Sequence, residues 1–565
     1  MNRQLSQISP VQELQRLADA WWNLKLSIEP TLATELGIAG HDHELPDISG
    51  DCLARHRSKA GSLLEEAAAL SGADLHGNAS LTLAVLMHDI EDFVARSICR
   101  HECWLIDHLR GPQRWFLSLA QIVNIRTEDD LKAYQERLRR FEKYIADHLE
   151  NLQTGLADGL AAPRRQVEIV IDQLDAIADL PVEQDPLLTP AADPETRRLV
   201  ERVVRPAYLR YRTFLQDKVW PHAREDVGLW SLPIDAGCYA ELIRLETTLP
   251  LSPEEICRLG EDETEAIRQE MEALVQHAFP GQDLRSVLAR LRADPAYTFL
   301  DRQDVVATAR AAIERAAMVV ASAFSFRPEA PIRVEVIPSH QEAWSPPGYF
   351  RPAAEDGSRP ATYYVNTWDP TSRPRYTSEA LAFHECLPGH HLQTSFAQSC
   401  AGILPFQRHL LLNAYVEGWA VYAERLADEL GLYSDDACRM GMLAYQAWRS
   451  ARLVAETGMH AFGWSRTRAV DYMASHSALT RTEAENEVDR YVVWPGQGLA
   501  YSVGRTAIMR LRKRAHDKLG ENLPLGAFHE TILKNGAIPL QLLEREVDAW
   551  IATSIDQSTG AAMAP

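Results

Sequence analysis

Long stretches of this sequence repeat apolar side chains every three or four residues, and this spacing favours a fold built mainly of α-helices. The pattern runs through Leu14–Leu36, Leu53–Leu70, Leu81–Ile98, Leu131–Leu149 and Arg197–Val219. Such spacing puts the apolar side chains on one face of a helix, and proline and glycine fall at the joints between the stretches. We therefore predict an N-terminal helical lobe over residues 1–225.

The rest of the chain, residues 226–565, is predicted to form a second lobe. A chain of 565 residues can hold about three or four domains, but one large helical fold with two interleaved lobes fits equally well. Helices are expected to continue to about Phe324 and to return after Glu424.

Between these helical regions the pattern changes to that of short strands. Ile332–Pro338 alternates apolar and charged residues, and Ala361–Thr367 is rich in residues that favour strands. The segments Trp344–Tyr349 and Asp356–Pro360 are predicted to be loops. A small sheet here could pair its edge with an extended peptide, using Tyr364 and Asn366 as contacts, or could serve as a structural hairpin. We expect both roles.

The segment that follows the strands, residues 376–394, carries the strongest chemical signal. It contains His384, Glu385, His390 and His391 on an apolar run that is helical in pattern. A His-Glu pair followed closely by Gly-His provides the ligands and the general base of zinc hydrolases.

The spacing of these histidines needs a local distortion. His384 and His390 would lie roughly 120° apart around an ideal helix and could not bind one metal ion. Pro388 lacks an N–H, so it cannot bond to the His384 carbonyl, and with Gly389 it permits a bulge of two residues. His391 would lie about 10 Å along the axis from His384. We therefore predict His390 as the second ligand and His391 as a neighbouring donor or substrate contact.

A third ligand is expected from another helix. Glu417 is the only charged side chain between His409 and Glu424. A carboxylate within an apolar helix is costly to bury unless it is compensated, and a metal ion or a buried arginine could do this. Glu424 is the next candidate for this ligand. A thiolate ligand from Cys386 is a further alternative, although that residue would face the far side of the helix.

Residues 491–505 provide candidates for contacts with the reacting group. Gln497, Tyr501 and Arg505 recur at four-residue spacing, which places them on one helix face. A tyrosine hydroxyl opposite a metal ion can stabilise a developing oxyanion, and an arginine can bind a carboxylate with two hydrogen bonds. The alternative is that Tyr501 and Arg505 pack and pair within the lobe.

Charge and cysteine content narrow the cellular setting. The net charge of −21 argues against nucleic acid and anionic membrane surfaces as partners, because both attract basic faces. The N-terminal Met1–Gln7 segment has no apolar signal region, and the eight cysteines are scattered. We therefore predict a cytoplasmic monomer or homodimer with reduced thiols.

Three motifs resemble those of the bacterial family known as domain of unknown function 885. They are residues 384–393, Glu417–Glu424 and Pro495–Gly504. That family is more distantly similar to helical zinc peptidases such as thimet oligopeptidase and neurolysin. The resemblance implies a mainly α, two-lobed zincin-like fold, with a small sheet beside the metal-binding helix and a cleft that admits short peptides. The motif of these peptidases is H-E-x-G-H. Dipeptidyl peptidase III has one extra residue before the Gly-His of this motif, and the present sequence has two extra residues before Gly389-His390.

These features predict a metallopeptidase of the oligopeptidase or carboxypeptidase type, with one Zn²⁺ per chain held by His384, His390 and Glu417. Glu385 would be the general base, and Tyr501, with His391, would stabilise the oxyanion. Two alternatives remain open. One is a metal-dependent amidohydrolase or esterase acting in a closed pocket on a non-peptide substrate. The other is a non-enzymatic protein in which the histidines form a structural metal site or bind no metal. Manganese or cobalt could also occupy such a site.

Overall fold

The computed structural model describes residues 9–324, 326, 328, 331–342, 345–400, 402–520 and 523–562. The Met1–Gln7 segment and Trp344, both part of the sequence predictions, lie outside these residues. The described chain is mainly helical with one small sheet, which confirms the predicted fold class at that level.

The chain divides into two compact units. The first comprises Met1–Glu241, Ala354–Ser358 and Leu404–Phe406, and the second comprises Leu242–Ala353, Arg359–Ile403 and Gln407–Pro565. The boundary predicted between residues 225 and 226 falls inside the first unit, and the assignment of two domains stays a prediction.

The named elements of the first unit are all helices, and one isolated β-bridge joins Pro163 and Arg224. Its α-helices are α1 Pro10–Ile28, α2 Pro30–Leu36, α3 Gly50–Ala69, α4 Asn78–Ala95, α5 Pro112–Ile122, α6 Glu128–Ala157, α7 Arg164–Asp179, α8 Pro194–Leu199 and α9 Arg205–Phe214. Two π-helical segments, Val200–Val204 and Leu215–Val219, extend α8 and α9. Helix α10, Cys238–Thr247, begins in this unit and ends in the second. The five predicted apolar stretches fall on these helices, two of them ending in the 3₁₀ turn that follows, and α2 begins at Pro30 within the first stretch.

The second unit holds the remaining elements. Its helices are α11 Pro253–Ala278, α12 Leu284–Ala293, α13 Arg302–Ala323, α14 Ser339–Glu342, α15 Ser378–Glu385, α16 His390–Ser399, α17 Pro405–Arg408, which begins in the first unit, α18 Asn413–Glu429, α19 Asp436–His460, α20 Arg466–His476, α21 Arg481–Val493, α22 Ala500–Leu519, α23 Leu525–Leu533 and α24 Leu540–Ala562. Short 3₁₀ turns join many helices of both units: Leu70–Gly72, Arg96–Cys99, His101–Cys103, Val182–Gln184, Pro186–Leu188, Trp220–His222, Leu229–Ser231, Pro295–Tyr297, Pro370–Ser372, Arg375–Thr377 and Gln497–Leu499.

The sheet has three strands in the order β1, β3, β2, namely Arg333–Val336, Thr362–Val365 and Gly348–Arg351. Strand β1 runs parallel to β3, and β2 runs antiparallel to it. Both predicted strands are present, but the prediction of a loop through Tyr349 is wrong, because Gly348–Arg351 forms the edge strand β2. The sequence signal was weak because the strand has only four residues and directly follows two prolines.

Two glycines let α18 and α22 approach closely. A Cβ atom on Gly504 would lie 1.8 Å from the Ala414 carbonyl oxygen, and one on Gly418 would lie 2.5 Å from the Gly504 backbone. Any larger side chain would therefore force the helices apart. This contact brings Tyr501, which lies one turn before Gly504, close to the part of α18 that carries Glu417.

A disulfide bond joins Cys99 and Cys238 in the first unit, where their Cα atoms lie 5.3 Å apart. The other six cysteines are free thiols. The prediction that all eight are reduced is therefore wrong. The pair could not be recognised from sequence because its members are separated by 139 positions.

Thiol titration of the unfolded, unreduced protein should detect six free thiols, and prior reduction should raise the count to eight. Cys99→Ser should raise the unreduced count by one, because it releases Cys238. The control Cys103→Ser should lower that count by one. Eight reactive thiols without reduction would contradict the disulfide.

The ring of His529 on α23 is fully buried and positioned as a neutral imidazole. Its Nδ1 lies 2.9 Å from the Ala323 carbonyl oxygen and donates to it, while Nε2 accepts from the Tyr422 hydroxyl at 2.7 Å. A neutral ring has one donor and one acceptor, which this setting satisfies. Burial lowers the pKa of His529 to about 3.

This pKa makes stability depend on pH. The unfolded chain binds a proton at His529 near pH 6.5, whereas the folded chain does so only near pH 3, so protons favour unfolding between these values. The free energy of unfolding should fall as the pH drops below about 6.5, with this residue contributing up to about 1.4 kcal/mol per pH unit. His529→Gln should remove that contribution in urea unfolding at pH 7, 6 and 5. An unchanged pH slope in the variant would contradict a neutral buried His529.

Candidate metal centre

The helix carrying His384 stops directly after Glu385, and a new helix begins at His390. The peptide bond between Leu387 and Pro388 is cis. A Cβ atom on Gly389 would lie 1.9 Å from the His384 carbonyl oxygen, so only glycine permits this close return of the chain. The predicted bulge within one helix is therefore replaced by a complete break between α15 and α16.

The break brings His390 beside His384. Their ring centroids lie 4.8 Å apart and the rings are nearly perpendicular, at 85°. Glu417 of α18 completes the group: its Oε2 lies 3.4 Å from His384 Nε2 and 3.6 Å from His390 Nε2. The structure thus brings together the three residues that the sequence predicts as metal ligands.

The residues His384, His390 and Glu417 form a cluster that could hold a metal ion. One ligand atom from each residue lies within 4.8 Å of the others. Ligand bonds of about 2.1 Å in tetrahedral geometry place two ligand atoms about 3.4 Å apart, which agrees with the distances from Glu417 to the two imidazoles. Two imidazoles and one carboxylate suit Zn²⁺ and leave a fourth position for water or substrate.

A second carboxylate on α18 fixes the orientation of His384. Glu424 is fully buried, and its Oε1 lies 2.8 Å from His384 Nδ1. Glu417 and Glu424 are seven residues apart, which places them on the same face of the helix about two turns from each other. One imidazole ring therefore spans the two carboxylates, with Nδ1 towards Glu424 and Nε2 available as a ligand.

Arg449 of α19 balances the charge of Glu424. Its Nη1 donates to the Glu424 carboxylate at 2.8 Å. Burial alone would raise the pKa of Glu424, but Arg449 and His384 outweigh it and lower that pKa. Burial likewise opposes protonation of His384, but hydrogen bonds to Glu417 and Glu424 raise its pKa to about 9. The site therefore favours positive charge at the position where a metal ion would bind.

Glu385, the predicted general base, contacts the edge strand of the sheet. The Phe350 N–H donates to Glu385 Oε2 at 2.9 Å. Asn366 N–H bonds to the Pro347 carbonyl at 2.9 Å, so the alternation of an antiparallel pair turns the backbone groups of Gly348 and Phe350 away from β3. Burial raises the pKa of Glu385, against the effect of His384 and His390. A raised pKa suits a group that must accept a proton near neutral pH.

Tyr501 lies beside the metal cluster, with its ring 6.5 Å from that of His384. Arg490 Nη2 and Gln497 Nε2 donate to the Tyr501 hydroxyl at 3.1 and 3.4 Å. These bonds occupy lone pairs of the hydroxyl oxygen, so its proton remains to be donated. Gln497 is thus a support for Tyr501. Arg490 was missed from the sequence because it lies in a charged stretch that resembles a solvated helix face.

Other predicted site residues lie apart from the metal cluster. His391 is buried, with its ring 5.8 Å from that of Phe350 and Nδ1 3.4 Å from the Ser395 hydroxyl. Cys386 is buried outside the cluster, and burial raises the pKa of its thiol well above the usual range. Tyr364 stacks on Tyr349 at 5.0 Å on one face of the sheet.

Two predicted substrate contacts are already bonded to protein groups. The Asn366 amide nitrogen donates to the carbonyl oxygens of Glu342, Ser345 and Pro346, at 2.7, 3.0 and 3.2 Å. Arg505 is paired with Glu263, whose other oxygen accepts from Thr506 at 2.7 Å. In these positions Asn366 stabilises the turn before β2, and Arg505 follows the alternative in which it pairs within the lobe.

The fold and this site define a mainly helical protein with a His-His-Glu cluster on three neighbouring helices. A family described as bacterial protein of unknown function (DUF885) matches residues 30–547. The chain belongs to this family. A search of curated proteins finds no match.

Two solved structures are similar over nearly the whole chain. The first is the crystal structure of "the putative lipoprotein from Colwellia psychrerythraea", with 25% identity and a TM-score of 0.88; the match covers 97% of this chain and 100% of the other. The second is "a putative lipoprotein of unknown function from Shewanella oneidensis", with 17% identity and a TM-score of 0.73, covering 95% and 99%.

These two descriptions bear on the predicted location. Lipoproteins are held at a membrane by attached lipid, so the comparison contradicts the cytoplasmic location predicted from the sequence. The absence of an apolar signal region in Met1–Gln7 was the wrong basis for that prediction. Among the described helices, none is both long and apolar enough to cross a bilayer.

Glu424→Gln should weaken zinc binding by about 10- to 100-fold, because the variant loses the negative charge that holds His384 in its ligand orientation. The measurement is competition for Zn²⁺ with a chromophoric chelator. Glu429→Gln is the matched control, since Glu429 lies on the same helix and pairs with Arg512 on the surface. Equal affinities in the Glu424→Gln variant and the unmodified protein would contradict the role of Glu424.

Proposed function

We propose that this chain is a zinc-dependent metallopeptidase that hydrolyses short peptides. The observation that carries the proposal is the cluster of His384, His390 and Glu417, with Glu385 adjacent in sequence to the first of them. A Zn²⁺ ion held there would polarise an amide carbonyl and make a water molecule acidic near neutral pH.

Side chains of the protein transfer the proton and stabilise the oxyanion. Glu385 takes a proton from the attacking water molecule as the water oxygen bonds to the carbonyl carbon of the substrate. The same carboxyl then gives this proton to the amine nitrogen as the C–N bond breaks. The Tyr501 hydroxyl, supported by Arg490 and Gln497, donates to the carbonyl oxygen as negative charge develops on it.

The edge strand β2 favours a peptide over a small non-peptide amide. The backbone groups of Gly348 and the carbonyl oxygen of Phe350 face away from β3, on the side where the Phe350 N–H donates to Glu385. An extended peptide can form main-chain hydrogen bonds with such an edge and so lie beside the general base. An amidohydrolase or esterase with a closed pocket does not require a strand edge that pairs with an extended chain.

We also propose that the protein works outside the cytoplasm. The two similar structures are described as lipoproteins, and the Cys99–Cys238 disulfide suits an oxidising compartment. Three further points remain predictions. They are a neurolysin-type zincin architecture, a short peptide as the partner without nucleic acid or membrane, and a monomeric or homodimeric state.

Glu385→Gln should retain about one zinc ion per chain and lose about 10²- to 10⁴-fold in peptide hydrolysis, because it removes the proton acceptor and leaves the ligands in place. Metal content by elemental analysis and cleavage of a quenched fluorescent peptide library measure the two effects. Glu335→Gln, at an exposed position of β1, should change neither.

The library assay also tests the function itself. Chelation should abolish cleavage by the unmodified protein, and added Zn²⁺ should restore it. A zinc-loaded protein that cleaves no member of the library would contradict the peptidase assignment. A Glu385→Gln variant with full turnover would contradict only the role of Glu385.

A further inference from the structure

Three arginines surround the ring of Tyr501 beside the metal centre. The guanidinium carbons of Arg449, Arg452 and Arg490 lie 5.8, 4.7 and 5.8 Å from the ring centroid. Cations are attracted to aromatic faces at such distances. This positive group is notable in a chain whose net charge is −21.

Carboxylates inside the protein balance two of these arginines. Arg449 pairs with Glu424 at 2.8 Å, and Arg452 pairs with Glu487 at 3.0 Å. The Glu487 carboxylate also accepts from the Tyr491 hydroxyl at 2.9 Å. Each of the two carboxylates therefore has an arginine at hydrogen-bond distance.

Among the described residues, Arg490 has no carboxylate at hydrogen-bond distance. Within the described part of the chain, its closest carboxylate oxygen is Oε1 of Glu487 at 3.7 Å, which is too long for a hydrogen bond. Its Nη2 donates to the neutral groups of Gln497, at 2.6 Å, and Tyr501, and its Nε has no hydrogen-bond partner among the described residues. Among the described residues, Arg490 is therefore the one of these three arginines without a carboxylate at hydrogen-bond distance.

The two arginines near Glu487 differ in exposure. The Arg490 side chain is 18% exposed, whereas that of Arg452 is 1% exposed. The Arg490 side chain is therefore partly open to solvent, whereas Arg452 is enclosed and already paired with Glu487. The planar guanidinium group also matches the geometry of a carboxylate better than a lysine would.

We propose that Arg490 binds a carboxylate group of the substrate next to the metal centre. This inference rests on the proposed peptidase function and adds its substrate class: peptides that carry a negative charge close to the bond that is cut. The C-terminal carboxylate and an aspartate or glutamate side chain share this chemistry. Binding of the charge would place the peptide between the Tyr501 face of the site and the edge of β2.

The test is calorimetric binding to the zinc-loaded Glu385→Gln variant, in which cleavage is suppressed. The ligands are an N-acetylated alanine hexapeptide with a free C-terminus, the same peptide with a C-terminal amide, and an amidated form with one central glutamate. At least one of the two charged peptides should bind about 10- to 100-fold more tightly than the plain amide. Comparison of the free acid with the glutamate peptide identifies which carboxylate the site prefers.

Substitutions then assign the effect to Arg490. Adding Arg490→Gln to the Glu385→Gln protein should abolish the advantage of the charged peptides, and Arg490→Lys should retain part of it because the charge remains. Arg510→Gln is the matched control, since Arg510 is an exposed arginine on the same helix as Tyr501. It should leave the advantage unchanged.

The outcomes separate this inference from the proposed function. Equal affinities for the charged and uncharged peptides, including failure of all three to bind, would overturn the inference, and this comparison needs no substitution at Arg490. An advantage that survives Arg490→Gln would also overturn it. If the charged peptides bind through Arg490 but the unmodified zinc-loaded protein cleaves none of them, the peptidase assignment fails and the carboxylate site stands.

Discussion

The imidazole of His384 is held between two carboxylates of a single helix, and the rest of the site depends on this interaction. Glu424 fixes one nitrogen of the ring at 2.8 Å, and Glu417 lies 3.4 Å from the other. Arg449 neutralises the Glu424 carboxylate, so the Glu417 carboxylate remains available to a cation. Because α18 carries both glutamates, its packing against α15, α19 and α22 determines where the cluster forms.

Close backbone contacts explain how one chain brings these groups together. Gly389 allows the chain to turn back against the His384 carbonyl, and the Gly418–Gly504 contact brings α22 against α18. The Trp419 indole N–H also donates to the Pro388 carbonyl at 3.0 Å, which ties the break between α15 and α16 to α18. The site is therefore built from contacts that small residues permit and buried aromatic residues support.

The sequence was sufficient to predict the helical class and to single out His384, His390 and Glu417, because each of these residues stands out in its local pattern. A buried carboxylate in an apolar helix, such as Glu417, requires a counter-charge wherever the fold places it. Features that depend on long-range pairing were not predictable. The break at Pro388 was expected as a bulge, β2 was too short to recognise, and nothing local connects Cys99 with Cys238. The pairing of Arg505 with Glu263, and the contact of Arg490 with Tyr501, also become visible only when the helices are packed together.

The hydrogen bond from Phe350 to Glu385 links the spacing of the sheet to the reactive carboxylate. Along an antiparallel edge only every second residue turns its backbone groups outward, here Gly348 and Phe350. A bound strand could therefore shift along β2 only in steps of two residues if it is to keep its hydrogen bonds. The edge would therefore set the register of a bound peptide relative to Glu385 in steps of two residues.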